Sequence, residues 1–270
     1  MKHNFVKRAC LAACLLSLVW AVPCSAKMKF HKNPVIAHRG AWLHTGHPQN
    51  SLASFRAAAT MGCHGSECDV WFTKEDSLVI FHDAKRNGKY IEESTFAELR
   101  QQPLANGERI PTMREYLAEA MKQKKTKLII DVKTLVVNKP RTTELFHAVH
   151  RLVCEMGAEP WVEYLGGYLP AILEMQKETK LHIAYLGLWN KDLPECAPES
   201  VEKCGLRCLD YQDQQYAKHP EWLPIFRKKK LHLNVWTVDR EQDMRYFLGE
   251  KFHYVTTNEP ELLLKVCKKK

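Results

Sequence analysis

Short apolar runs alternate along this chain with longer segments in which apolar residues recur at helical spacing. The runs PVIAH (34–38), ECDVWF (67–72), KLIIDVK (127–133), WVEYL (161–165), LHIAYL (181–186), LRCLDY (206–211), LHLNVWTV (231–238) and FHYVTT (252–257) have the length and β-branched or aromatic content of strands. Between them, SLASFRAAAT, TMREYLAEAMKQ, TELFHAVHRLVCEM, PAILEMQKE, PEWLPIFRKK and EQDMRYFL read as helices, several with a proline suited to a first turn. Strand–helix alternation of this count, over about 240 residues, predicts a single-domain α/β fold of the (β/α)₈ barrel type. An open doubly wound sheet is the alternative, because strand number alone does not prove closure. The run LVIFHD (78–83) follows the second strand after the turn-like KEDS and is expected to extend it rather than to join the barrel. Residues 84–110 then form a long, mostly polar excursion.

The second strand carries a puzzle. In SECDVWFT (66–73), Glu67, Asp69 and Trp71 alternate with Cys68, Val70 and Phe72, so both acids project from one face of a half-buried strand. Two such charges repel each other and lose hydration. In a barrel, side chains at the C-terminal ends of neighbouring strands converge on one mouth. That would bring His38 and Arg39 from the first strand, Glu67 and Asp69 from the second, His82 and Asp83 from its extension, and Asp131 and Lys133 from the third into one site. Three carboxylates can share a hard divalent cation, which removes the repulsion. Arg39 and Lys133 suit a phosphate beside that ion, and the histidines can move protons near neutral pH. Each residue also has a plainer role available, a structural hydrogen bond or an Arg39/Lys133 salt bridge; their joint occurrence at successive strand ends favours phosphate ester chemistry.

The N-terminal 26 residues change the picture of where the protein acts. Lys2, Lys7 and Arg8 precede the apolar ACLAACLLSLVWAV and the small-residue PCSA, the layout of a secretory signal cleaved after Ala26. The expected product is a secreted or periplasmic domain of residues 27–270. A lipid anchor at Cys14 or Cys24 is disfavoured by the short apolar run before the one and by Pro23 before the other. Losing residues 1–26, with three basic residues and no acids, takes the net charge from +9 to +6. The remaining excess sits largely in RKKK (227–230) and KKK (268–270), without interleaved aromatics, which reads as solvated helix ends rather than a nucleic-acid surface. Seven cysteines remain, an odd number that argues against a full disulfide framework. Cys196, Cys204 and Cys208 are close enough in sequence for one bridge, and no C-x-x-C pair or His/Cys spacing suggests zinc.

The segments VIAHRG, PQNSLASFRAA, GSECDVWFTKEDSLVIFHD, KLIIDVK, NVWTVD and YVTTNEPELL, in this order, resemble the glycerophosphodiester phosphodiesterase family across nearly the whole mature chain. The resemblance implies a (β/α)₈ barrel that hydrolyses glycerophosphodiesters to glycerol 3-phosphate and an alcohol with a divalent cation, Ca²⁺, Mg²⁺ or Mn²⁺. It implies His38 and His82 as the acid–base pair and Arg39 on the phosphoryl oxygens. Glu67, Asp69 and Asp131 would hold metal, Lys133 would offset charge on the phosphate, and Trp236 would line the substrate pocket. It also suggests attack by the substrate's own glycerol hydroxyl, giving a cyclic phosphate that water opens. Two positions depart from the family pattern. Glu-x-Lys on the third strand becomes Asp131-Val132-Lys133, a shorter reach by about 1.5 Å, and Pro-Glu-Asn becomes Pro48-Gln49-Asn50. The rival readings are a phosphatidylinositol-specific phospholipase C-like enzyme, which needs an apolar rim, and a non-catalytic glycerophosphodiester-binding protein. The expected partner is a small molecule, with no nucleic acid and no stable membrane insertion.

Overall fold

A computed structural model describes residues 28–187 and 194–268. The predicted signal segment 1–26 lies outside the described residues. Eleven strands are present among them: β1 Val35–Ala37, β2 Gly65–Phe72, β3 Leu78–Ile80, β4 Lys85–Arg86, β5 Lys89–Tyr90, β6 Lys127–Val132, β7 Val162–Gly166, β8 Ile183–Tyr185, β9 Cys208–Gln212, β10 His232–Trp236 and β11 Tyr254–Thr257. Eight of these run parallel in the order β1-β2-β6-β7-β8-β9-β10-β11, and β11 pairs back onto β1 through Val35–Val255 and Ala37–Thr257. That last pairing closes the barrel and excludes the open sheet. The segment after the second strand lies outside the barrel, as expected: β3 runs antiparallel to β2. The excursion contains the β4–β5 hairpin and α2 (Phe96–Gln101).

The helices α1 (Leu52–Met61), α3 (Met113–Ala120), α4 (Thr142–Glu155), α5 (Leu169–Glu178), α6 (Pro198–Lys203), α7 (Asp213–Lys218), α8 (Trp222–Lys228), α9 (Glu241–Gly249) and α10 (Pro260–Lys268) complete the order. Their starts follow local chemistry. Ser51 accepts from the Ser54 N–H at the head of α1, and Thr112 with Glu115 forms a reciprocal capping box on α3. Outward strand residues such as Cys68, Val70, Ile130, Val132, Tyr164 and Val235 pack under the helices in the main core. The inward residues Ile36, Ile129, Leu165, Ala184 and Cys208 form a small separate plug, mostly aliphatic, inside the barrel. Gly65 makes room for it: a Cβ there would lie 2.8 Å from the Ile36 side chain. Above and below this plug the barrel interior is polar.

Cys204 and Cys208 form no disulfide, so the bridge allowed by sequence is absent. The basic run at the end of α8 is tied to acids, Arg227 to Glu250 at 2.5 Å and Lys229 to Glu202 at 2.6 Å. Among the described residues no helix is long and apolar enough to cross a membrane.

Candidate active site

Eight of the nine residues singled out in the sequence line one cavity of about 550 Å³ at the C-terminal mouth, His38, Arg39, Glu67, Asp69, His82, Asp131, Lys133 and Trp236, while Asp83 stays outside it and meets His82 Nδ1. The parallel register of β2 and β6 sets Asp69 beside Asp131. One oxygen each from Glu67, Asp69 and Asp131 lies within 4.8 Å of the others, and all three residues are buried. Two oxygens about 2.4 Å from a common ion are at most about 4.8 Å apart, so the set fits a hard dication. The shorter Asp131 side chain therefore still reaches the cluster.

The turn after β1 aims the cations. Arg39 has φ 57° and Gly40 φ 82°; a Cβ on Gly40 would come within 2.4 Å of Ser54, so only glycine fits there. This turn directs the Arg39 backbone N–H to Glu67 Oε2 at 2.8 Å. The guanidinium lies between the histidines: its Nε donates to His38 Nε2 at 3.2 Å, and an Nη lies 2.7 Å from His82 Nε2. Gln49 Oε1 accepts from the other Nη at 2.6 Å, so the departure from Glu keeps the hydrogen bond while leaving the arginine charge uncompensated there. Asn50 donates to Asp69 Oδ2 at 2.7 Å. Lys133 Nζ bridges Asp131 Oδ2 at 3.0 Å and Asp69 Oδ1 at 3.2 Å.

These contacts separate the ionisation of similar groups. Burial and repulsion from Asp69 and Asp131 hold Glu67 well above the usual carboxylate range. Burial lifts Asp131 to about 6, with Lys133 opposing. Burial also acts on Asp69, but Lys133, His82 and Arg39 outweigh it and hold the group at about 2. Burial, with Arg39 beside it, lowers His38 to about 4; burial lowers His82, with Asp69 and Asp83 opposing. The other ring nitrogens differ in partner: His38 Nδ1 meets Asn258 Oδ1 at 2.8 Å, and His82 Nδ1 meets the Asp83 carboxylate at 2.7 Å.

Asp210 and Asn258 escaped the sequence reading. Asp210 lines the same cavity from β9, is 2% exposed, and has Oδ1 without a hydrogen-bond partner. Burial, with Asp131 nearby, pushes it up to about 8. Its place two residues after Cys208 on the inner face was the available signal. Trp236 Nε1 donates to the Asp210 carbonyl at 2.8 Å, which fixes the indole at the rim.

A closed parallel barrel with buried acids, two histidines, an arginine and a lysine at its C-terminal mouth suits phosphoric ester hydrolysis. The chain belongs to the glycerophosphoryl diester phosphodiesterase family, whose family model matches residues 38–262. It is 26% identical to a glycerophosphodiester phosphodiesterase of Caldanaerobacter subterraneus over 88% of this chain and 99% of that one. A crystal structure of a glycerophosphodiester phosphodiesterase from Parabacteroides distasonis superposes with a TM-score of 0.81 at 31% identity, covering 89% of this chain and 98% of that one. A phosphodiesterase from Oleispira antarctica, solved in complex with the product sn-glycerol-3-phosphate, shares the fold with a TM-score of 0.70 at 19% identity, covering 87% and 97%. The protein is an enzyme of this phosphodiesterase class.

Proposed function

We propose that the protein hydrolyses glycerophosphodiesters to glycerol 3-phosphate and an alcohol, with Glu67, Asp69 and Asp131 holding Ca²⁺, Mg²⁺ or Mn²⁺. The observation that carries this reading is the Arg39 guanidinium lying between His38 Nε2 and His82 Nε2 beside the buried acids. That guanidinium would attract an anionic phosphoryl group, and it has a candidate proton-transfer group on either side. When bound, the dication supplies positive charge against the phosphoryl oxygens. Arg39 and Lys133 bind and orient those oxygens, and their charge offsets what develops there during displacement.

The partners of the two rings support different roles for them. His38, backed by a neutral amide and lowered to about 4, is unprotonated at neutral pH and accepts the proton of the nucleophile at Nε2. His82 has a carboxylate on Nδ1, which opposes the lowering by burial and supports its imidazolium, and it delivers a proton to the departing alcohol. With a glycerol hydroxyl as nucleophile, its oxygen bonds to phosphorus as the bond to the alcohol breaks. Water then opens the resulting cyclic phosphate with the two roles reversed. Trp236 packs the substrate against the rim. The N-terminal segment supports action outside the cytoplasm.

A coupled assay for glycerol 3-phosphate across several glycerophosphodiesters, with and without chelator, tests the reading. Release that chelator abolishes and added dication restores is expected. Full turnover in excess chelator, with no metal in the purified protein, would remove the carboxylates from the mechanism. One observation favours a lipid-like substrate as a second reading: Val136 and Val137, each 52% exposed, follow β6 on the mouth side. Phosphatidylinositol in the same panel decides between them.

A further inference from the structure

The barrel has a second polar end. At the lower edge of the apolar plug, to which Cys208 belongs, and at the N-terminal ends of their strands, His182, Cys208 and His232 each bring one ligand-capable atom within 4.8 Å of the others. His182 immediately precedes β8, while Cys208 and His232 open β9 and β10, and nothing in the sequence spacing joins them. We infer that this floor is a binding site for a thiolate- and imidazole-preferring dication of the zinc type, held by His182, Cys208 and His232 and separate from the oxygen-lined mouth.

Geometry supports it. Zinc–sulfur and zinc–nitrogen bonds at a tetrahedral angle place their donor atoms about 3.6 Å apart, and Cys208 Sγ lies 3.5 Å from His232 Nδ1. His182 directs Nδ1 to Glu163 Oε2 at 3.2 Å, while its Nε2 is buried without a hydrogen-bond partner. A carboxylate on one ring nitrogen and an open lone pair on the other is the arrangement that orients metal-ligating histidines. By contrast, in the surface cluster of His147, Glu174 and Glu178 both ring nitrogens already meet carboxylates, at 2.8 and 3.1 Å. Two imidazoles and a thiol select against the calcium, magnesium and manganese expected at the mouth. The position also has mechanical sense: β8 and β9 meet in one register pair, Tyr185 with Leu209, and an ion here would tie β8, β9 and β10 together.

The test uses the whole mature protein, stripped with chelator and titrated with Co²⁺ and then Zn²⁺. Wild type should show a thiolate-to-cobalt charge-transfer band that zinc erases, and one zinc per chain should raise Tm. Cys208→Ser should lose the band and the zinc-dependent Tm rise; Asp131→Ala, which alters only the mouth, should keep both. Glu163→Gln should weaken zinc binding by about 10- to 100-fold. A wild-type protein without the band, or a band that persists in Cys208→Ser, overturns the site, and the wild-type result needs no variant to fold.

Discussion

Asp69 and Asp131 stand side by side across the parallel ladder of β2 and β6, and the Lys133 ammonium spans the pair. The two aspartates thus share a cation of the chain's own, which a dication would have to displace toward the phosphate. Asp131 carries the shorter acid at this position, yet its carboxylate reaches the cluster. Asp131→Ala is expected to lose most of the metal affinity, whereas Asp131→Glu retains activity and binds metal more tightly. Metal titration by calorimetry, followed by turnover, checks both variants. Wild-type affinity in Asp131→Ala would leave Glu67 and Asp69 as the ligands.

The same acids predict a pH-dependent response to metal. Glu67 and Asp131 are raised in the fold, Asp131 to about 6, so the metal-free protein binds more protons folded than unfolded between about pH 4 and 6. Its stability from these groups is present at low pH and is lost as pH rises through that window. Asp69, held at about 2, contributes the opposite sign only in stronger acid. Metal requires the ionised carboxylates, so the Tm gain on adding dication should be small near about pH 5 and grow toward about pH 8. A gain that is uniform over this range would contradict the assignment.

His38 and His82 are distinguished by leaving group. Each alanine variant should lower kcat by at least about a hundredfold on a glycerophosphodiester with an alkyl alcohol. A substrate that releases a nitrophenol needs little acid assistance, so it should largely rescue His82→Ala and leave His38→Ala impaired. Kinetics on the two substrates read this directly. Rescue of His38→Ala instead would exchange the two roles.

The alternation along β2 made Glu67 and Asp69 legible, because a period of two forces them inward together while Cys68 and Val70 enter the outer core. Strand ends were less visible. β2 begins at Gly65, two residues before its apolar run, since Gly65 is chosen for packing against Ile36 rather than for strand propensity. The six-residue helices α2, α6 and α7 are too short to show a helical period and depend on tertiary contacts. The meeting of His182, Cys208 and His232 arises only when β8, β9 and β10 pair side by side, so no linear motif records it.

Asp210 offers a test of a residue that reads as ordinary strand in the sequence. It is buried at the mouth, one carboxylate oxygen lacks a partner, and burial holds it at about 8, so it is largely protonated at neutral pH. A protonated acid and an amide are close in size and both neutral, so Asp210→Asn should fold and keep turnover at about pH 7 within a few-fold of wild type. The two differ when pH rises. Wild type has a folded pKa above its unfolded value of 3.8 and therefore loses stability as pH climbs from about 4 to 8, whereas the amide has no proton to lose. Thermal unfolding of both proteins in chelator over that range should show Tm of the variant exceeding that of wild type by a margin that widens with pH. Parallel curves would show that Asp210 is already ionised, and a loss of dication affinity in Asp210→Asn would add it to the carboxylates that hold the metal.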